Sequence, residues 1–162
     1  MFTVQEVLQL AVKMEENGEQ AYRQALQRVE APEIRTLLAW IADEEVAHAA
    51  HFRTMLKRFG SAADSPFLEN PDQEQLADIL QGESLSLKEI DFSAITRFGD
   101  LIDVFLEFEN DGILFYELLR SFVVEGDARS VVDEIIEQEK SHVQKLTFFA
   151  DSDTPVVPEP AA

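Results

Sequence analysis

The sequence contains no cysteine. That excludes disulfides, thiol chemistry and any thiolate-ligated iron or zinc centre in this chain. Glycine and proline are scarce, six of each in 162 residues, too few for a linker-rich or disordered chain. Positive charge is also short: 13 basic residues stand against 32 acidic ones, for a formal net charge of -19. Such a surface repels phosphate backbones, so nucleic acid is not an expected partner. The same surface concentrates cations. No run of about 18 uncharged apolar residues is present, so no membrane span is expected. Met1-Phe2-Thr3-Val4-Gln5-Glu6 lacks the basic start and apolar run of a signal peptide, which makes the cytoplasm the expected location.

What is present is enough apolar material, 46% of residues, for one ordinary globular domain. Apolar residues recur in alternating steps of four and three, the mark of helices packed along a seam. The first seam runs from Val4 through Leu8, Ala11, Glu15, Gly18 and Tyr22 to Val29; the second runs from Ile34 through Ile41, Glu45, His48 and Phe52 to Phe59. Pro32 suits the first turn of the second helix, and Gly60 its end. A third seam runs from Phe98 through Phe105, Glu109, Gly112 and Tyr116 to Val123, and is broken by Gly126-Asp127. The fourth runs from Ala128 through Ile135, Glu139 and His142 to Phe149. No strand-like alternation competes with them. Residues 61–97 join the two hairpins, with Asn70-Pro71 and Gly82 bracketing a short extra helix. The expected fold is all-α: an antiparallel four-helix bundle over residues 1–150, made of two helical hairpins with one long crossover. Residues 151–162, with three prolines, read as a flexible tail.

The two hairpins repeat one another. Val4 and Phe98, Glu15 and Glu109, Gly18 and Gly112, Tyr22 and Tyr116, Glu45 and Glu139, and His48 and His142 are all separated by 94 residues.

A bundle seam should be apolar, yet each of these carries a glutamate near its middle. Glu45-Val46-Ala47-His48 and Glu139-Lys140-Ser141-His142 each place a carboxylate and an imidazole one turn apart on one helix face. Folding each hairpin about its turn brings Glu15 level with Glu45, and Glu109 level with Glu139. Packing the hairpins together would then converge four carboxylates and two imidazoles. Without cations that is costly, because each buried carboxylate loses several kcal/mol of hydration and close like charges force protonation. Two divalent ions would neutralise four carboxylates, and oxygen and imidazole donors without thiolate suit iron or manganese. Each histidine would serve one metal, and seam position casts Glu45 and Glu139 as the bridging pair. One Glu-x-x-His alone is commonplace on a solvated helix. Here two of only three histidines fall at matched seam positions, with level glutamates opposite.

Other polar residues rank lower. His51 pairs with Lys145 in the repeat, so it reads as a surface group or an outer partner of the ligands rather than as a ligand. Asp43 and Glu44 read as solvent-facing, and Glu44 pairs with Gln138, which argues against a required carboxylate. Glu16 pairs with Asn110, and Glu19 with Ile113. A mid-helix glycine costs about 1 kcal/mol relative to alanine, so Gly18 and Gly112 imply either space beside the metals or close helix packing. Tyr22 and Tyr116 lie two turns past their glutamates. They are placed either to hydrogen-bond metal-bound carboxylates or to serve as core tyrosines with polar partners.

Met14-Glu15-Glu16-Asn17-Gly18-Glu19-Gln20-Ala21-Tyr22 with Asp43-Glu44-Glu45-Val46-Ala47-His48, and Phe108-Glu109 through Tyr116 with Glu139 to His142, resemble the two halves of a rubrerythrin-like protein of the ferritin-like di-iron carboxylate class. The resemblance spans roughly residues 4–149. It implies a ferritin-like bundle holding two iron ions on Glu15, Glu45, His48, Glu109, Glu139 and His142, with manganese or a mixed pair as variants. Rubrerythrins typically carry a Cys-ligated rubredoxin iron as electron donor; without cysteine, that donor would be a separate protein. Rubrerythrins also carry an extra carboxylate one turn after the third-helix glutamate, where this chain has Gly112. The resulting symmetric six-ligand set is closer to a bacterioferritin ferroxidase centre, although bacterioferritins lack so long a crossover insertion.

The resemblance therefore implies an oxidoreductase that reduces peroxide or dioxygen while oxidising iron. The alternatives are a ferroxidase, iron-storage or iron-delivery protein, a dimanganese catalase-like protein, and a metal-free interaction bundle. Bundles of this kind often pair, so a homodimer or a larger homo-oligomer is the expected assembly.

Overall fold

The computed structural model describes residues 4–59, 87, 91–122, 126–151 and 156. Four long helices account for most of them: α1 (Val4–Leu26), α2 (Pro32–Phe59), α3 (Phe98–Phe122) and α4 (Gly126–Phe148). No β-strand occurs among the described residues, and none of their helices is long and apolar enough to cross a membrane. Pro32 opens α2 as expected: its missing N–H costs nothing in a first turn. Gly60, the short helix proposed between Asn70 and Gly82, and most of the crossover lie outside the described residues.

The helices pair as two antiparallel hairpins, α1 with α2 and α3 with α4, and α2 also packs against α4. Ion pairs along the outside reflect the antiparallel run. Arg23 meets Asp43 at 2.7 Å and Arg53 meets Glu16 across the first hairpin, while Arg120 meets Asp133 across the second. All are substantially exposed, so each contributes at most about 1 kcal/mol.

The core falls into two apolar blocks. One gathers Leu8, Ala11, Met14, Phe52, Phe115, Leu119, Val132 and Ile135. The other gathers Ala25, Leu38, Ile41, Phe98, Ile102, Phe105 and Leu146. Between them, at mid-height, lies a layer of buried charge: Glu15, Glu45, His48, Glu109, Glu139 and His142. The helix register alone produces this layer, because the polar seam residues sit midway along their helices.

The end of the crossover is fixed to the first hairpin. A short 3-10 helix, Phe92–Ala94, is capped by Asp91, whose side chain accepts from the Ser93 N–H at 3.1 Å. Arg28, in the turn between α1 and α2, is buried and donates to the carbonyls of Phe92 and, at 2.6 Å, Ile95. Most of the tail expected over 151–162 lies outside the described residues. Val156 is an exception: it is buried in the second apolar block and its N–H bonds to the Thr96 carbonyl at 3.1 Å. At that point the chain is docked, with an apolar side chain removed from water.

Candidate metal centre

The structure brings all six expected donors together in two groups. One comprises Glu15, Glu45, His48 and Glu139; the other comprises Glu45, Glu109, Glu139 and His142, with each group's donor atoms within 4.8 Å of one another. Glu45 and Glu139 belong to both groups, so the pair expected to bridge is the pair the geometry shares.

Both histidines turn Nδ1 inward. His48 Nδ1 lies 2.7 Å from Glu139 Oε1 and 3.3 Å from Glu15 Oε2. His142 Nδ1 lies 3.4 Å from Glu45 Oε1, 3.4 Å from Glu139 Oε2 and 3.6 Å from Glu109 Oε1. The two rings are near-parallel, with centroids 5.8 Å apart.

Glu15 Oε2, Glu45 Oε1, Glu109 Oε2, Glu139 Oε1 and both Nδ1 atoms are buried, yet make no hydrogen bond of good geometry despite these close approaches. Native proteins rarely leave buried polar atoms unsatisfied. Lone pairs converging from carboxylates and imidazoles, with no proton donor between them, are what a pair of hard-to-borderline cations requires. The donor set thus fits two first-row divalent ions.

Without cations, protons take their place. Burial works to lower the His48 pKa, but the carboxylates of Glu139 and Glu15 outweigh it and raise it to about 11. His142, likewise opposed by burial, is raised to about 10 by Glu109 and Glu139. Glu45 is pushed well above the carboxylate range, first by burial and then by the charges of Glu15, Glu139 and Glu109. Burial and Glu139 do the same to Glu109. Glu139 alone goes the other way: burial would raise it, but Glu109 and the two histidines hold it below the usual range. With no ion bound, the depressed Glu139 carboxylate thus lies between two histidines whose raised pKa values favour imidazolium.

The remaining expected residues fall into place with some differences. Tyr22 donates to Glu109 and Tyr116 donates to Glu15, so each tyrosine reaches across to the other hairpin. Burial, then the nearby carboxylates, raise both phenols well above their ordinary value, which keeps them as donors. Gly18 and Gly112 are not equivalent. A Cβ on Gly18 would lie 2.6 Å from Glu45 Oε2 and 3.1 Å from Phe108 Cε1, whereas one on Gly112 would meet only Met14 Cε at 3.9 Å. Space beside the donors is therefore required at Gly18 and not at Gly112.

Glu44 corrects the expectation of a solvent-facing residue. Its Oε2 lies 3.4 Å from His142 Nε2, with its side chain only 25% exposed. Gln138, its repeat partner, places Oε1 2.8 Å from His48 Nε2. The available signal was their position, each one residue before a shared glutamate and 94 residues apart. His51 and Asp43 are exposed, Asp43 pairing with Arg23, while Glu16 pairs with Arg53 and Glu19 with Arg23, away from the grouped donors. Trp40, not singled out by the sequence, sets its ring edge-on to His142 with centroids 5.2 Å apart, and Lys145 Nζ lies 3.4 Å from the Trp40 centroid.

The rubrerythrin family model matches residues 6–149, a span containing every one of these donors. Among solved structures, a putative ferritin-like diiron-carboxylate protein from Thermotoga maritima is 28% identical, covering 94% of this chain and 97% of its own, with a TM-score of 0.67. A hypothetical protein from Pyrococcus furiosus shares the fold at 19% identity, covering 93% of this chain and 89% of its own, with a TM-score of 0.67. No curated protein matches the chain. The matched span, the bundle and its buried glutamate and histidine layer agree: this chain belongs to the rubrerythrin family.

Proposed function

We propose that the protein is a non-haem di-iron oxidoreductase that reduces peroxide or dioxygen to water as its iron is oxidised. The observation that supports this most is the sharing of Glu45 and Glu139 between two four-donor groups, each completed by one histidine and one further glutamate. On this reading His48 and Glu15 would hold one ion and His142 and Glu109 the other, with Glu45 and Glu139 available to both. When bound, two ferrous ions would supply the two electrons that, with two protons, convert one peroxide into two waters.

The chain's own residues do the rest. Tyr22 and Tyr116 orient Glu109 and Glu15 by hydrogen bonding, as outer partners of metal ligands commonly do. The apolar blocks above and below exclude bulk water from both ends of the layer, which strengthens every electrostatic interaction inside it. Glu45 and Glu109, raised by burial and neighbouring charge, are the carboxyls that release protons on metal loading. No cysteine among these 162 residues can ligate a donor iron, so on this reading the electrons for re-reduction come from outside this domain.

The test begins with metal content of protein purified without chelator, beside a Glu45→Ala/Glu139→Ala variant. About two irons per wild-type chain, absent from the variant, is the expected result, followed by rapid mixing of the diferrous protein with peroxide. Oxidation no faster than that of free ferrous ion would sink the peroxidase reading.

A second reading, ferroxidase and iron handling, is favoured by one observation: with Gly112 one turn after Glu109, the grouped donors among the described residues number six, arranged symmetrically. It predicts mineralisation well beyond two irons per chain when ferrous ion is titrated in air. Two manganese ions instead of iron would redirect the work to oxygen evolution from peroxide.

A further inference from the structure

The two halves of the site match donor for donor, but not behind the histidines. A histidine that offers Nδ1 to a metal carries its proton on Nε2, which must find an acceptor. For His48 that acceptor is the neutral amide of Gln138, at 2.8 Å. For His142 it is the carboxylate of Glu44, at 3.4 Å. Gln138 and Glu44 hold equivalent repeat positions, 94 residues apart, so the chain differs in charge where its symmetry predicts a match. Each acceptor also comes from the opposite hairpin: α4 supports the α2 histidine, and α2 supports the α4 histidine.

The difference has a direction. A carboxylate acceptor draws on the N–H proton and makes the imidazole a stronger electron donor; an amide does so less. It also adds a negative charge near that ion. Two features moderate the effect. The Glu44 contact is long for a hydrogen bond, and its side chain is partly exposed, so its charge is partly screened. Lys145 also lies on this side, over Trp40, but it is exposed and its charge is screened by solvent.

We propose that Glu44 and Gln138 make the two metal positions inequivalent, so that the position at His142 takes a divalent ion first and holds it more tightly than the position at His48. Both act as positioning residues through the imidazoles. The inference rests on the two-metal reading above.

Stepwise affinities alone cannot test it, because the second ion always enters against the charge of the first. The ions must be located. Metal-stripped full-length protein would be given one equivalent of manganese(II), crystallised, and the occupancy of each position measured by anomalous diffraction. Outer-partner changes typically alter metal affinity by about 10- to 100-fold, and the long, partly screened Glu44 contact places the effect near the lower figure. The expected result is a His142 position occupied about tenfold more than the His48 position. Glu44→Gln should bring the two close to parity, and Gln138→Glu in the same chain should reverse the order. Gln138→Glu alone should also give near parity, which keeps the test alive if Glu44→Gln fails to fold. Equal occupancy in the wild type, preference for His48, or an unchanged preference in the variants would overturn the proposal. Two ions bound at equal strength would leave the two-metal reading standing. No ion at either position, even in excess manganese(II) and excess ferrous ion, would remove both.

Discussion

At the scale of single residues, the site depends on what lies within one atom's width of it. Gly18 faces Glu45, one of the two carboxylates shared by both donor groups, at a distance that leaves no room for a Cβ. Gly18→Ala is therefore expected to displace Glu45 and weaken metal binding by tenfold or more, as read by calorimetric titration. Gly112→Ala meets only ordinary contact, so it should stabilise its helix by about 1 kcal/mol with affinity unchanged; thermal denaturation of the two variants side by side separates the cases. Tyr22→Phe and Tyr116→Phe each remove the donor to one terminal carboxylate. Each should lower affinity by roughly 10-fold or more, with the helical circular dichroism signal intact. The six donors were legible in the sequence because seam positions that ought to be apolar carried charge at a fixed spacing. Glu44 was not legible. Its mismatch with Gln138 counted against a role, whereas a carboxylate and an amide both accept a proton from imidazole. One residue of helical rotation from the seam also turned it towards the neighbouring helix rather than towards water.

At the scale of elements, the bundle helices follow directly from the periodicity, and Pro32 marks the start of α2. What periodicity could not supply is how the connection is held. Arg28 reads in sequence as one more charge in a turn; in the structure it is 4% exposed and bonded to two carbonyls at the end of the crossover. Hydrogen bonds to a charged group are worth about 1.5–3 kcal/mol each, so Arg28→Ala should lower stability by several kcal/mol in denaturant titration. Amides of residues 91–98 should lose exchange protection before those of the bundle core. Lysine cannot reproduce a planar fork across two acceptors, so Arg28→Lys should recover only part of the loss. Neither a turn arginine contacting residues more than sixty positions away nor the docking of Val156 against Thr96 has a local sequence signature.

At the scale of the whole molecule, a charged layer between two apolar blocks ties stability to pH and to cations together. His48 and His142 are raised from the ordinary histidine value of 6.5 to about 11 and about 10. A group whose pKa is raised by folding stabilises the fold fully below its unfolded value and ceases to do so as pH rises through its folded value. Glu45 and Glu109, also raised, act in the same sense from a lower starting pH, while the depressed Glu139 matters only in strong acid. The metal-free protein should therefore lose thermal stability as pH climbs from about 6.5 towards 10. Metal affinity should rise over the same interval, since ions replace protons there; melting curves with and without ferrous ion under anaerobic conditions check both slopes. The reciprocal contacts carry a further consequence. Tyr22, Glu44, Tyr116 and Gln138 all serve the half of the site they do not belong to. Two copies of one hairpin, related by a two-fold axis, would satisfy the same pattern with identical halves, and any substitution would then alter both ion positions at once. Joined in a single polypeptide, the halves are free to drift apart one position at a time. Glu44 opposite Gln138, cramped Gly18 opposite roomy Gly112, and Trp40 opposite Glu134 are places where the two halves already differ.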